Sequence, residues 1–500
     1  MSSSRAYTCS ALLIWNAIVA HPRAPSSPTA RASWTAGPYA MYNQYMGDHS
    51  GEFPSWSLDT GTDAAAGLPV LADVDVLVVG GGAAGVAAAT VCAESGLSVV
   101  IVEKYGFFGG AAVAGMSGTI CGLYLATESG GPEQVVHGFT ERFRSVLDEH
   151  GGVTGPQQYG KTWTVAHDPL IWREVADRLL DDAGVRILLH TTVTGVLVEN
   201  GVHTGVVVES NAGRSVVRAA RTIDASGDAA VVARAGHATR FGDDGRIQNP
   251  TMFFRIGNVD VDVFREGYGA DTICPPWVGD AIKSARDTGL DLPRSHVWLF
   301  DTTRPGELLV NATRVVGRDG RMLNVVDPED FTEAEIVGRR QVRDYTAFIR
   351  RNLPGCADAF VVDTGVEVGI RQTRSIEAVT TLTNDDVLTC RKRNDGVVRS
   401  PWPIEMHSGD RPRLHWLLDD YYEVPYLSLV PRTGENIVVA GRCLGAQHEA
   451  LASARVTAQC FEYGNAAAVA TVISLRKDFA YRLVPGAEVR VAMRAAGSSI

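Results

Sequence analysis

The segment from Val74 to Gly85 constrains this chain more than any other stretch. Val74-Asp75-Val76-Leu77-Val78-Val79-Gly80 is a short β-rich apolar run of the kind buried in a parallel sheet. It passes directly into Gly80-Gly81-Gly82-Ala83-Ala84-Gly85, which satisfies G-x-G-x-x-G. Residues 83–96 then carry small apolar side chains at helical spacing and end at Gly96, a natural helix terminator. A second strand, Leu97–Val102, closes on Glu103. Each residue has a task in a βαβ unit that holds a dinucleotide. Gly80 permits the tight turn, Gly82 lets the backbone approach a pyrophosphate, and Gly85 lets helix and strand pack closely. Ala84 lies on the first helical turn, whose free N–H groups and partial positive charge suit a diphosphate. Glu103 follows Gly85 by 18 residues, close to the spacing at which an acid bonds ribose hydroxyls. A lone glycine motif could be an ordinary turn. Strand, helix, second strand and acid in that order point to dinucleotide binding.

Composition narrows the partners. A length of 500 residues suggests roughly two or three domains of about 150 residues. The net charge is −11, from 57 acidic and 46 basic residues, so nucleic acid and anionic membrane are not expected partners. A local arginine cluster could still take a small anion. The eight cysteines form no C-x-x-C pair, zinc pattern or disulfide framework, so no metal site is expected. They read as reduced core residues, which suits a cytoplasmic protein. No apolar run approaches the roughly 20 residues of a membrane span. Residues 1–66, rich in Ser, Pro, Gly, Thr and Ala, read as a disordered extension. The run Ala11–Ala20 after Arg5 keeps export as the lesser alternative.

The glycine motif does not choose between FAD and NAD, and resemblance does. The loop Glu103-Lys104-Tyr105-Gly106-Phe107-Phe108-Gly109-Gly110-Ala111-Ala112 resembles that of the FAD-dependent oxidoreductase family. That family has the glutathione-reductase-like FAD fold and includes distant relatives of the fumarate reductase flavoprotein. There the loop wraps the adenosine and pyrophosphate, which assigns Lys104, Gly109, Gly110 and Ala111 to the cofactor. The helix Asp168–Asp182 and the strand after it are similar to the segment whose backbone clamps the adenine, here at Val193. Arg221–Asp228 resembles the D-A-T-G-D turn beside the ribose, with Ser226 replacing threonine before Gly227. Asn436–Arg442 and the long helix expected over Ala452–Leu475 resemble the closing motif that meets the flavin. Gly441, Arg442 and Arg455, the last placed one turn into that helix, are implied there. The resemblance implies an α/β fold, a Rossmann-type FAD-binding domain with an inserted α+β substrate or cap domain. The FAD domain is expected at 67–245 plus 436–480, with a small insertion near 113–167. The cap is expected at 246–435 and a C-terminal tail at 481–500. Strands are expected at Trp298–Phe300, Leu308–Val310 and Asp363–Ile370, and a helix at Glu333–Arg351.

Four residues are candidates for catalysis. Arg371, in Arg371-Gln372-Thr373-Arg374, follows an expected strand Val366–Ile370 and suits bidentate carboxylate recognition, or else a structural ion pair. Glu405 and His407 alternate with apolar residues, so on a strand both face one side, and together they could take a proton as hydride leaves. His448 sits where the family places a residue near the flavin. Cys121 reads as a small apolar residue, and the aromatic residues 416, 421, 422 and 426 read equally as pocket or core. With no second G-x-G-x-x-G and no histidine in the Lys104–Ala114 loop, the expectation is noncovalent FAD without a built-in NAD(P)H site. The expected activity is oxidation of a small organic molecule by hydride transfer to FAD, with oxygen or an external acceptor taking the electrons. Reduction of an activated double bond, monooxygenation and a non-catalytic FAD-binding role are the alternatives.

Overall fold

The computed structural model describes residues 67–199 and 202–500. The expected N-terminal extension and the run Ala11–Ala20 lie outside the described residues. A seven-stranded sheet is the frame, in the order Arg186–Leu188, Val99–Val102, Val70–Val79, Gly213–Asp224, Val202–Ser210, Thr192–Glu199. The first four strands are parallel and the last three form an antiparallel meander. Gly213–Asp224 belongs to both parts. Its first half pairs with Val202–Ser210 and its last residues pair in parallel with Ile437–Val439. The register aligns Val102, Val79, Asp224 and Val439 at the carboxyl ends of four neighbouring strands. Open α/β sheets bind ligands at that edge.

The apolar run at Val76–Val79 is central because both faces of the sheet are covered. Val76 and Val78 enter one core, while Leu77 and Val79 enter another. Full burial of each such side chain contributes about 1.5–3 kcal/mol. Helix Ala83–Glu94 is buried nearly all round because it lies between this sheet and helix Thr457–Lys477. Gly464 allows that crossing: a Cβ there would stand 2.0 Å from the Ala84 carbonyl.

A second sheet orders Trp298–Asp301, Leu308–Asn311, Phe254–Gly257 and Phe360–Thr364, all antiparallel. Its strands alternate between two cores. Leu299, Leu308 and Val310 face helix Pro328–Asn352, whereas Trp298, Phe300 and Leu309 join Tyr159, Phe253 and Trp402 on the opposite side. The segment 113–167 adds a three-stranded sheet of Thr119–Ile120, Gln157–Tyr159 and Thr162–Ala166, and the helix Phe139–Glu149. Among the described residues no helix is long and apolar enough to cross a membrane.

Three local expectations need correction. The strand expected over Asp363–Ile370 lies at Phe360–Thr364, and residues 366–373 are irregular, so Arg371 does not follow a strand. The single helix expected over Ala452–Leu475 is two helices, His448–Ala454 and Thr457–Lys477. The chain breaks at Arg455 and Val456, where the N–H of Ala458 donates to the Cys121 carbonyl and the Thr457 hydroxyl to that of Thr119. Residues 481–500, expected as a tail, form helix Gly486–Ala495, with Val489 and Met493 fully buried.

Candidate functional site

One cavity is lined both by residues just beyond the aligned carboxyl ends and by residues of the second sheet. Its first part is made of backbone. Gly80, Gly81, Gly82, Ala83 and Ala84 line it, with Gly109, Gly110 and Ala111 opposite. The Gly109 N–H donates to the Gly81 carbonyl at 2.8 Å, which holds the loop against the glycine turn. The glycines have different reasons. Gly80 has φ +97°, and a Cβ on it would meet the Ala225 carbonyl at 2.5 Å. On Gly85 a Cβ would come 1.8 Å from the Gly80 carbonyl, so Gly85 serves packing and does not line the cavity. Gly82 has φ −71°, which any residue adopts, and the nearest atom to its Cβ position is Gly110 Cα at 3.8 Å. Neither conformation nor the protein's own atoms require glycine there.

Glu103 accepts from the N–H of Gly81 at 2.6 Å and of Tyr105 at 2.9 Å, one on each oxygen. Burial raises its pKa, and the two backbone donors oppose that. Lys104 bridges to Glu367 at 3.1 Å, and the Tyr105 hydroxyl also donates to Glu367, tying the loop to the segment before Arg371.

Midway along, Asp224-Ala225-Ser226-Gly227-Asp228 forms the wall. Asp224 builds the turn by accepting from Val231, Val232 and Ser226. Asp228 pairs with Arg442 at 2.7 Å and accepts from the Thr373 hydroxyl at 2.6 Å, drawing three distant segments together. Gly441 and Arg442 line the same stretch. Asp228 was not singled out in the sequence, although it closes the quoted Arg221–Asp228 segment.

The inner part is made of long side chains. Arg371, Glu405, His407, Tyr159, Arg455 and Trp402 line it. Glu405 and His407, at the end of the short strand Ile404–Met406, are 3.4 Å apart through Oε1 and Nε2. The Tyr159 hydroxyl donates to the same Oε1 at 2.5 Å. Arg294 Nη2 meets His407 Nδ1 at 3.5 Å. Because a guanidinium only donates, Nδ1 accepts and Nε2–H faces Glu405. Burial and the Arg371 charge push His407 down to about 3, so it is neutral at pH 7. Burial alone would raise Glu405, but His407, Tyr159 and Arg455 bring it down to about 2. Tyr159 and Arg294 were missed in the sequence because they come from elements far apart, and no local motif marks them.

Val193 and His448 stand apart. Val193 is packed in the meander core, paired with Val208, and does not line the cavity. His448 opens a short helix outside the cavity, half-buried near Asp243 and Glu449. Tyr422 and Tyr426 are fully buried core, and neither they nor Trp416 and Tyr421 line the cavity.

A family model described as FAD dependent oxidoreductase matches residues 75–493. No curated protein sequence is significantly similar to the chain. Among solved structures it is similar to a geranylgeranyl bacteriochlorophyll reductase-like protein from Thermoplasma acidophilum, at 15% identity over 85% of this chain and 88% of that one, TM-score 0.43. It is also similar to a p-nitrophenol 4-monooxygenase from Pseudomonas putida, at 11% identity over 85% and 86%, TM-score 0.46. A third is an L-proline dehydrogenase from P. horikoshii, at 12% identity over 86% and 99%, TM-score 0.40. The residues present fit FAD. Gly82 leaves a cradle open above the helix N-terminus, Glu103 lines the cavity beside it, and Arg442 Nε and Arg455 Nε are buried donors without a partner.

Proposed function

This chain belongs to the FAD dependent oxidoreductase family, and we propose that it dehydrogenates a small organic substrate at the inner end of its cavity, using noncovalent FAD. Gly82, Ala84, Gly110, Glu103, Ser226, Asp228, Arg442 and Arg455 would hold the cofactor. Bound FAD would supply the hydride-accepting chemistry, with oxygen or an external acceptor as the electron sink.

The observation that carries this reading is the Glu405 carboxylate, 5% exposed on the cavity wall with only one oxygen engaged. Oxidising an alcohol or amine releases a proton along with the hydride, and Glu405 Oε2, which makes no hydrogen bond, is the group placed to take it. His407 is the weaker choice of base on geometry, since its Nδ1 faces Arg294 and its Nε2 faces Glu405. It holds Glu405 Oε1 together with Tyr159. Phe253, Phe300 and Trp402 line the same space with apolar surface and exclude water.

The test is anaerobic mixing of the yellow protein with candidate alcohols and amines. Bleaching of the flavin band by a substrate alone is the expected result. Bleaching only by NAD(P)H would replace this reading with monooxygenation.

A further inference from the structure

Three buried arginines converge on the inner end of the cavity, and one carboxylate answers them. Arg371 and Arg455 line the cavity, and Arg294 stands behind His407. Their hydrogen bonds go to uncharged groups. Arg371 donates to the Asn249 carbonyl at 2.8 Å and Asn311 Oδ1 at 3.5 Å, and Arg455 to Gln248 Oε1 at 3.2 Å. Arg294 donates to the Thr313 carbonyl at 3.5 Å and lies over the Trp298 ring, 4.6 Å from its centroid. Arg371 is 5% exposed and Arg294 2%. Buried guanidiniums facing only dipoles are costly unless an anion joins them. Trp402 Nε1, Arg455 Nε and Gln248 Nε2 are further buried donors with no partner. The region is rich in donors and in positive charge.

The three arginines have different places. Arg455 lies at the break before helix Thr457–Lys477, among the cofactor residues. Arg371 lines the cavity with Glu405 and His407, and two of its five N–H groups are engaged, one on each Nη. The wall around it is aromatic, from Tyr159, Phe253, Phe300 and Trp402.

We propose that the substrate is a carboxylic acid with a flat apolar body, whose carboxylate docks on Arg371 while the aromatic wall covers the rest. This rests on the dehydrogenase reading above and names its substrate class. A guanidinium fork matches a carboxylate in two parallel hydrogen bonds, which a halide or an amide cannot reproduce. Docking also gives the buried Arg371 guanidinium an anionic partner, which its uncharged hydrogen-bond partners do not supply.

The test uses the holoprotein under anaerobic conditions, with flavin absorbance as readout and benzoate, benzamide and bromide as probes. Benzoate should perturb the spectrum saturably, and benzamide should bind at least about tenfold more weakly. Arg371→Gln should weaken benzoate about tenfold or more with FAD content unchanged, and Arg371→Lys should recover part of the loss. Equal binding of benzoate and benzamide, a response to bromide alone, or unaltered benzoate binding in Arg371→Gln would overturn the proposal. If Arg371→Gln does not fold, the benzoate and benzamide pair on the unaltered protein decides. Binding is read without turnover. Carboxylates that bind yet are never oxidised would sink the dehydrogenase reading and leave this one standing, and oxidation with no preference for the anion would do the reverse.

Discussion

The two ends of the cavity are built from different materials. At the outer end the working groups are peptide N–H groups and missing side chains, supplied by residues 80–85 and 103–111 within one βαβ unit. At the inner end they are guanidiniums, a carboxylate, an imidazole and a phenol, drawn from residues 159, 294, 371, 405, 407 and 455. A backbone site depends on local dihedrals and close approach, so it tolerates no added atoms. A side-chain site depends on charge balance across segments, so it tolerates small changes of shape and responds to pH and to ligand charge. Four measurements set the two ends against each other.

The largest effects belong to the glycines. Gly85→Ala should not yield folded protein, because its Cβ would stand 1.8 Å from the Gly80 carbonyl. Gly82→Val should fold, since its Cβ position is open, yet purify colourless because the side chain occupies the cofactor's place. Melting curves and the ratio of flavin to protein absorbance separate the two. A yellow Gly82→Val protein would show that the cradle holds something else.

Next comes the inner carboxylate. Glu405→Gln keeps the shape and removes the proton acceptor, so anaerobic flavin reduction should slow about 10²–10⁴-fold, or roughly 3–5 kcal/mol in the barrier. FAD content and reoxidation should stay normal. Stopped-flow reduction at the unaltered rate would remove Glu405 from the chemistry.

A smaller effect is acid lability. The folded pKa of His407 is about 3, against about 6.5 for a free histidine. Between those values the unfolded chain binds more protons, so this contribution to stability is complete above about pH 6.5 and declines as pH falls toward 3. The slope is up to about 1.4 kcal/mol per pH unit for this one group. Urea unfolding at pH 7, 6 and 5 should show it, and His407→Gln should reduce the slope while Gly82→Ala leaves it. A slope unaffected by His407→Gln would mean that other buried histidines dominate.

The smallest effect is expected from His448→Ala. This residue lies outside the cavity, so flavin spectrum and reduction rate should be essentially unchanged. A clear change in either would place His448 closer to the cofactor than its helix does.

Much of the outer end was legible because its signals are local. The strand Val70–Val79, helix Ala83–Glu94 and Glu103 stand as a contiguous pattern, and Asp168 caps helix Pro169–Asp182 by accepting from Leu170 N–H at 2.7 Å. The break at Arg455 was not legible, since Ala-rich residues on both sides favour helix and only the Cys121 and Thr119 carbonyls reward the interruption. The strand partner of Val193 was not legible either: its β-rich run says strand, but not that it pairs with Val208 in the meander.

By itself the sequence determined the dinucleotide cradle, because a tight turn, a close approach and a helix start each depend on residues within a few positions of one another. It also supplied Glu405 and His407 on one face of a strand, through a period of two. Only the tertiary structure decided that Tyr159 and Arg294 would flank that pair, and that three arginines would meet one carboxylate. Charge balance and desolvation act through space at a few ångströms, and residues separated by hundreds of positions share no local pattern that could announce their meeting.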